Sequence, residues 1–392
     1  MKIIMQDPWG IRGMGVYDYS LCDALHKKDI DLILITNCYY EYDKLSNFKV
    51  NKKFFKYSEN IKSGIIRKVV RGLEYFFTML NLVNKYSKES PDIIHIQWLL
   101  RRYQFEYLWL KMLRYQLRKG NTKIILTAHN ILPHINGYKH KNILEKVYSQ
   151  FDGIIVHSEV MKSQMFKIFG AKARGWSICV IPHGAEDKLF EKVDENILNN
   201  YRNKIKLLKS KEHNFLFAGV INENKGLDVL LMAWGEHINK YPNDKLYIIG
   251  KPCYNINNEL EIIKKHHSSI ISSLGYKSDE ELLAYYLECD FVVLPYKEAS
   301  QSGVLLTALT LGKPVIATNV GGLPEIINVV QGGYIVNPND PHLLSEALDK
   351  AANISTYDLI EWNDNIREKT LATYSWDDIA NITVDFYNKI NN

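Results

Sequence analysis

Residues 287–327 read LECDFVVLPYKEASQSGVLLTALTLGKPVIATNVGGLPEII. A short apolar strand (Phe291 to Leu294) runs into a polar loop (Tyr296 to Ser302) and then a helix-forming run (Gly303 to Leu311). The first amides of a helix have no internal acceptors, and the helix dipole adds positive potential there. Ser302, Gly303 and Val304 are therefore expected to present N–H groups to an anion such as a diphosphate, with Gln301 shaping the pocket. A second strand–loop–helix pattern, FLFAGVINENKGLDVLL, spans Phe215 to Leu231 and carries Lys225 at its turn. A lysine near a helix start is by itself also an ordinary exposed side chain. Three further polar side chains fall at the ends of apolar runs: His129 in TAHN, and His95 and Gln97 in IIHIQW. Gly13-Met14-Gly15 follows the first apolar run, and glycine at such a turn lets the backbone approach a ligand closely. Taken singly, a GxG turn or a strand-end histidine fits an ordinary structural role equally well.

These residues need elements to hold them. The first half alternates apolar strands at Lys2–Met5, Leu32–Ile35, Ile93–Ile96, Lys123–Thr127, Gly153–Val156 and Ser177–Ile181 with helical runs between them. The second half repeats the scheme at Asn214–Phe217, Lys245–Ile249, Ser269–Ser273, Phe291–Leu294, Val315–Ala317 and Gly333–Val336. Such alternation predicts α/β domains, each with a doubly wound parallel sheet covered by helices. Pro182-His183-Gly184 is a turn signal and marks a boundary. The expected domains are residues 1–185 and 186–374, with a terminal helix over 375–392 opened by Ser375 as N-cap. Ligands of such sheets bind beyond the carboxyl ends of the strands.

The ordered series of motifs resembles the glycosyltransferase family 4 enzymes, which are retaining and have the two-domain GT-B fold. The likeness covers most of the chain and is strongest from Phe215 to Val336, with further matches near Gly13, His129 and the terminal helix. It implies two Rossmann-like domains facing across a cleft, the first binding the acceptor and the second a nucleotide sugar. It implies catalytic roles for His129, which would contact the donor sugar, and for Lys225, which would bind the donor diphosphate. Gly13, Gly15, Val220, Asn222, Tyr276, Gln301, Ser302, Gly303, Val304 and Thr307 fall on its donor side. His95, Gln97 and Arg12 fall on the acceptor side. The donor would be UDP- or GDP-linked, with no cofactor and no metal, and the acceptor a glycan carried on a lipid. Two departures stand out. Val220 occupies the place where the family commonly has an arginine. The family's paired glutamates align, through GKPVIAT, with Ala299 and Thr307; Glu298, one place earlier, is the nearest carboxylate. These losses keep open an alternative in which the fold persists as a non-catalytic scaffold subunit.

Bulk properties narrow the classes. A chain of 392 residues, 46% hydrophobic and 24% charged, suits two α/β domains. No apolar run is long enough to span a bilayer, and MKIIMQDPWG reads as strand and turn rather than a signal peptide, so a cytoplasmic location is expected. Five cysteines without CxxC spacing suggest reduced thiols. No HExxH or comparable ligand spacing points to a metal. Residues 1–185 carry 29 Lys and Arg against 15 Asp and Glu, whereas the remainder is acidic. Within the basic half, IIRKVVRGLEYFFTMLNLV and RRYQFEYLWLKMLRYQLRK interleave basic and aromatic residues. They fit either helices lying on an anionic membrane face or core helices with a solvated basic side. No nucleic-acid motif accompanies the charge.

Overall fold

A computed structural model describes residues 1–133, 137–206, 208–209 and 212–391. The chain forms two compact units, Met1–Gly184 with Trp376–Asn392, and Ala185–Ser375. Each is built on one all-parallel sheet.

The first sheet comprises β1 (Lys2–Asp7), β2 (Asp31–Asn37), β3 (Lys49–Phe54), β4 (Ile93–Ile96), β5 (Lys123–Thr127), β6 (Gly153–Val156) and β7 (Ile178–Val180). Their order is β3-β2-β1-β4-β5-β6-β7. The central strands are apolar on both faces because helices cover both. Helix α1 (Gly13–His26) packs on one face together with the terminal helix Trp376–Asn391. Helices α2 (Gly64–Glu89) and α3 (Tyr103–Leu117) pack side by side and share a core with β4 and β5. Strand β3 has no counterpart in the sequence reading. Its sequence, KVNKKF, lacks an apolar run because it is an edge strand, and lysines there discourage further pairing.

The second sheet comprises β8 (Asn214–Ala218), β9 (Lys245–Gly250), β10 (Ile270–Leu274), β11 (Phe291–Leu294), β12 (Val315–Thr318) and β13 (Gly333–Val336). Its order is β10-β9-β8-β11-β12-β13. Three helices here escape the sequence reading: Glu195–Lys206 and Asn257–Lys265, which are amphipathic but polar in composition, and Thr356–Thr373, which carries little apolar periodicity. In both units the strand order reverses once, between β1 and β4 and between β8 and β11. The loops leaving those strands diverge, and the crevice they leave at the carboxyl ends is where sheets of this kind bind ligands.

Candidate active site

In the second unit the crevice is flanked by the loops after β8 and β11. Gly226 has φ 69°, and a β-carbon on it would lie 1.9 Å from the Pro295 carbonyl oxygen. Only glycine lets the two loops approach this closely. Lys297 N donates to Asn224 O at 2.8 Å, and Asn224 Nδ2 donates to Glu298 O at 3.2 Å. These bonds carry Lys225 to the second loop, where its Nζ lies 3.5 Å from the centroid of the Tyr296 ring. The buried Tyr296 hydroxyl is 3.3 Å from Ser302 Oγ. Ser302 is the N-cap of the helix Gly303–Thr310, its Oγ accepting from Leu305 N at 3.3 Å. Lys225 has no carboxylate within ion-pair distance among the described residues, whereas neighbouring Lys297 is paired with Asp228 at 2.7 Å.

Ser302 caps the third amide of the helix with its side chain. The backbone amides of Ser302, Gly303 and Val304 have no intrahelical acceptor by position. Gln301, just before the cap, has both side-chain amide atoms cut off from solvent and without a partner among the described residues. A buried amide with neither end paired costs free energy that a bound polar group would recover.

Other residues of the donor set take differing places. Val220 is 49% exposed beside the crevice, and Asn222 is exposed, its carbonyl accepting from Lys225 N at 2.9 Å. Tyr276 is exposed beyond the end of β10, and the Glu298 side chain is exposed. Thr307 is only 8% exposed within its helix, so little of its surface can meet a donor.

Glu186 escapes the sequence reading. Its backbone N donates to Thr310 Oγ1 at 3.0 Å, and a β-carbon on Gly303 would lie 3.7 Å from its Oε1. Burial, reinforced by nearby Asp187, pushes its carboxyl up to about 8. It is therefore neutral at pH 7, and the mouth of the anion site carries no opposing charge there.

In the first unit, β1 and β5 end at Asp7 and Thr127. The turn after β1 bends at Gly10 and at Arg12, whose φ is 54°, and is held by Asp7 Oδ1 accepting from Trp9 N at 2.7 Å. Gly13 and Gly15 do not form this turn. They lie in the first turn of α1, where Gly15 packs against the Gly10 carbonyl and Gly13 is exposed. Arg12 is the exposed N-cap of that helix.

His129 sits just past β5 and lines a cavity of about 50 Å³ with Gln97, Trp98, Arg101, Tyr103 and Asn130. Its Nδ1 is 3.1 Å from His157 Nε2, and His157 Nδ1 is 2.9 Å from Ile181 O. Burial lowers both imidazoles, His157 to about 3 and His129 well below its ordinary value; nearby His183 adds to the effect on His157, and His157, His183 and His95 add to it on His129. Both rings are neutral, which fixes the tautomers. A carbonyl only accepts, so His157 carries its proton on Nδ1 and its Nε2 must accept from His129 Nδ1–H. His129 Nε2 is left as a bare lone pair, buried and without a partner among the described residues. It is suited to accept a hydrogen bond from a hydroxyl.

The other two strand-end residues behave differently. His95 is 1% exposed, with Nδ1 2.6 Å from Tyr387 Oη and Nε2 2.7 Å from Thr127 Oγ1. It ties the terminal helix to the sheet, and the acceptor role expected of it is not available. Gln97 is buried, with Nε2 on Met5 Sδ at 2.8 Å, and its Oε1 has no partner among the described residues. His157, which sets the His129 tautomer, was invisible in sequence: VHSE carries no motif, and its role depends on Ile181 across a neighbouring strand.

Residues 11–189 match the model for "Glycosyltransferase Family 4", and residues 212–353 that for "Glycosyl transferases group 1". A glycosyltransferase of Methanocaldococcus jannaschii is 27% identical over 90% of this chain and 89% of its own length. The lipopolysaccharide 1,2-N-acetylglucosaminetransferase of Salmonella typhimurium is 22% identical over 95% of this chain and 92% of its own. Among solved structures, Anabaena HepE in complex with UDP and glucose superposes with a TM-score of 0.72 at 14% identity, covering 99% of this chain and 100% of that one. Each unit matches a glycosyltransferase model, and the relatives align across both; the chain belongs to the family 4 glycosyltransferases and has their GT-B fold.

Proposed function

We propose that this glycosyltransferase moves a sugar, with retention of its anomeric configuration, from a UDP- or GDP-linked donor to a glycan acceptor carried on a lipid at the cytoplasmic face of the cell membrane. The observation that carries the donor reading is the seating of Lys225 on the Tyr296 ring, one hydroxyl away from the Ser302 cap. An ammonium without a carboxylate partner and the open amides of Gly303 and Val304 thus belong to one crevice. Together they offset the charge of a diphosphate as it leaves. The first unit offers His129 Nε2 as an acceptor for a sugar hydroxyl.

No carboxylate nucleophile is needed in this reading. The acceptor hydroxyl attacks the anomeric carbon on the face the diphosphate departs from. The C–O bond to the diphosphate breaks, a C–O bond to the acceptor forms, and the hydroxyl proton passes to a departing phosphate oxygen. The loss of the family's glutamates at Ala299 and Thr307 leaves this step intact. No metal or cofactor enters the proposal, because Lys225 and the helix amides meet the diphosphate charge. The UDP bound in Anabaena HepE and the lipopolysaccharide named in the Salmonella relative support the donor and acceptor classes. The test is incubation with labelled UDP- and GDP-sugars and lipid-linked glycan acceptors. Transfer with retained configuration is expected; no transfer and no donor hydrolysis across the panel would overturn the reading.

A further inference from the structure

Helix α2 is 26 residues long, yet its first buried residue is Tyr75. The turns before it stand clear of the core of their own unit. Ile65 (79% exposed), Ile66, Val69, Leu73, Phe76 and Phe77 all remain exposed there. At about 100° per residue these side chains fall within a ~120° arc, a single stripe along the helix. The stripe is distinct from the face that carries Tyr75, Met79, Leu82 and Tyr86 into the core. Helix α2 therefore has a second apolar face that its own unit leaves exposed, with Phe76 at the far end of the stripe meeting the Phe105 ring.

Helix α3 continues the pattern. Its buried residues Trp109, Leu110 and Leu113 join the same core as those of α2. Trp109 Nε1 donates to Met79 O at 2.6 Å, and the Phe76 and Phe105 rings lie 5.0 Å apart. The two helices lie side by side on one sheet face, so their outer sides face away from it together. On the outer side of α3, Leu108 (63% exposed), Met112 and Tyr115 are spaced i, i+4, i+7.

Charge surrounds this surface. Lys62, Lys68, Arg101, Arg102, Lys111 and Lys119 are exposed. None has an acidic partner within ion-pair distance among the described residues, whereas Arg67 and Arg71 are both engaged by Glu59. We infer that the outer face of α2 and α3 docks on an anionic lipid bilayer, with the apolar stripe entering the headgroup boundary and the free cations meeting lipid phosphates. No helix of the described residues is long and apolar enough to cross a membrane, so this is contact in the plane of the interface. A second copy of the chain is the poorer occupant. A twofold contact would set the basic rim against itself, and like charges brought together oppose association.

The inference rests on the lipid-carried acceptor reading for why a membrane is at hand, and on this surface alone for which residues touch it. The test is flotation of the full chain with vesicles of phosphatidylcholine alone or mixed with phosphatidylglycerol. Binding to the anionic vesicles is expected to be about tenfold or more stronger and to weaken as salt rises. Ile66→Glu with Val69→Glu, and separately Lys68→Glu with Lys111→Glu, should each lower it about tenfold or more. Circular dichroism and calorimetric UDP binding should be unchanged in both variants, which separates loss of docking from loss of fold or of the donor site. Equal binding to both vesicle types, or none, overturns the inference. So does a wild-type dimer in light scattering that Ile66→Glu with Val69→Glu turns into a monomer.

Discussion

His157 Nε2 stands 3.1 Å from His129 Nδ1, and because its other nitrogen is committed to the Ile181 carbonyl, the proton in that gap belongs to His129. Replacing His157 with Phe keeps the ring volume but releases His129 to adopt either tautomer. Turnover is expected to fall about tenfold, the worth of one well-placed hydrogen bond, with UDP affinity little changed. Nitrogen NMR of the imidazoles should show His129 protonated on Nδ1 in the wild type and a mixture in the variant. A single unchanged tautomer would remove His157 from this role.

Lys225→Ala should lower turnover by about tenfold or more through loss of a charge-assisted contact to the leaving diphosphate. Tyr296→Leu, which keeps Lys225 but removes the ring beneath it, should weaken UDP binding by about threefold to tenfold. Tyr296→Phe preserves the ring and should behave close to wild type. Calorimetry with UDP separates the three; equal affinity in all of them would detach Lys225 from the donor site.

The Glu186 carboxyl, neutral up to about pH 8, gains a negative charge beside the helix Gly303–Thr310 above that value. A charge there repels a diphosphate, so donor affinity should decline as pH rises through about 8. Glu186→Gln removes the titration and should flatten that decline while matching the wild type at pH 7. The measurement is UDP affinity between pH 6.5 and 9.5, and a decline of equal size in the variant would assign it elsewhere.

Tyr387→Phe deletes the hydroxyl that meets His95 Nδ1 at 2.6 Å and leaves a buried ring nitrogen unpaired. The expected cost is about 1–3 kcal/mol. Urea denaturation should register it as a lower midpoint with catalysis intact at low denaturant. If turnover fell instead while the midpoint stayed put, His95 would have to be returned to the site.

Most of the scaffold was legible in the chain itself. Ile93–Ile96, Lys123–Thr127, Gly153–Val156, Phe291–Leu294 and Gly333–Val336 are strands as the sequence reading places them. Apolar runs bounded by turn residues are local signals, and buried parallel strands must be apolar on both faces. The helix from Gly303 was equally readable as a helix-forming run after a polar loop, whereas the Ser302 cap that opens it appears in the structure. Edge strand β3 and the polar helix Thr356–Thr373 were not, since their sequences do not carry a buried face that repeats.

What the residues do individually is another matter. By itself the sequence determined the alternation of strands and helices, the ends of the strands, and so which polar residues stand where a ligand could reach them. Only the tertiary structure decided that His95 is sealed under the terminal helix, that Gln301 is left unpaired, and that Lys225 rests on Tyr296. It alone brought His157 to Ile181 and Glu186 to Thr310. The reason is physical: hydrophobic periodicity is written within a few residues, whereas a proton's location or a carboxyl's charge depends on the dielectric and partners that distant segments supply.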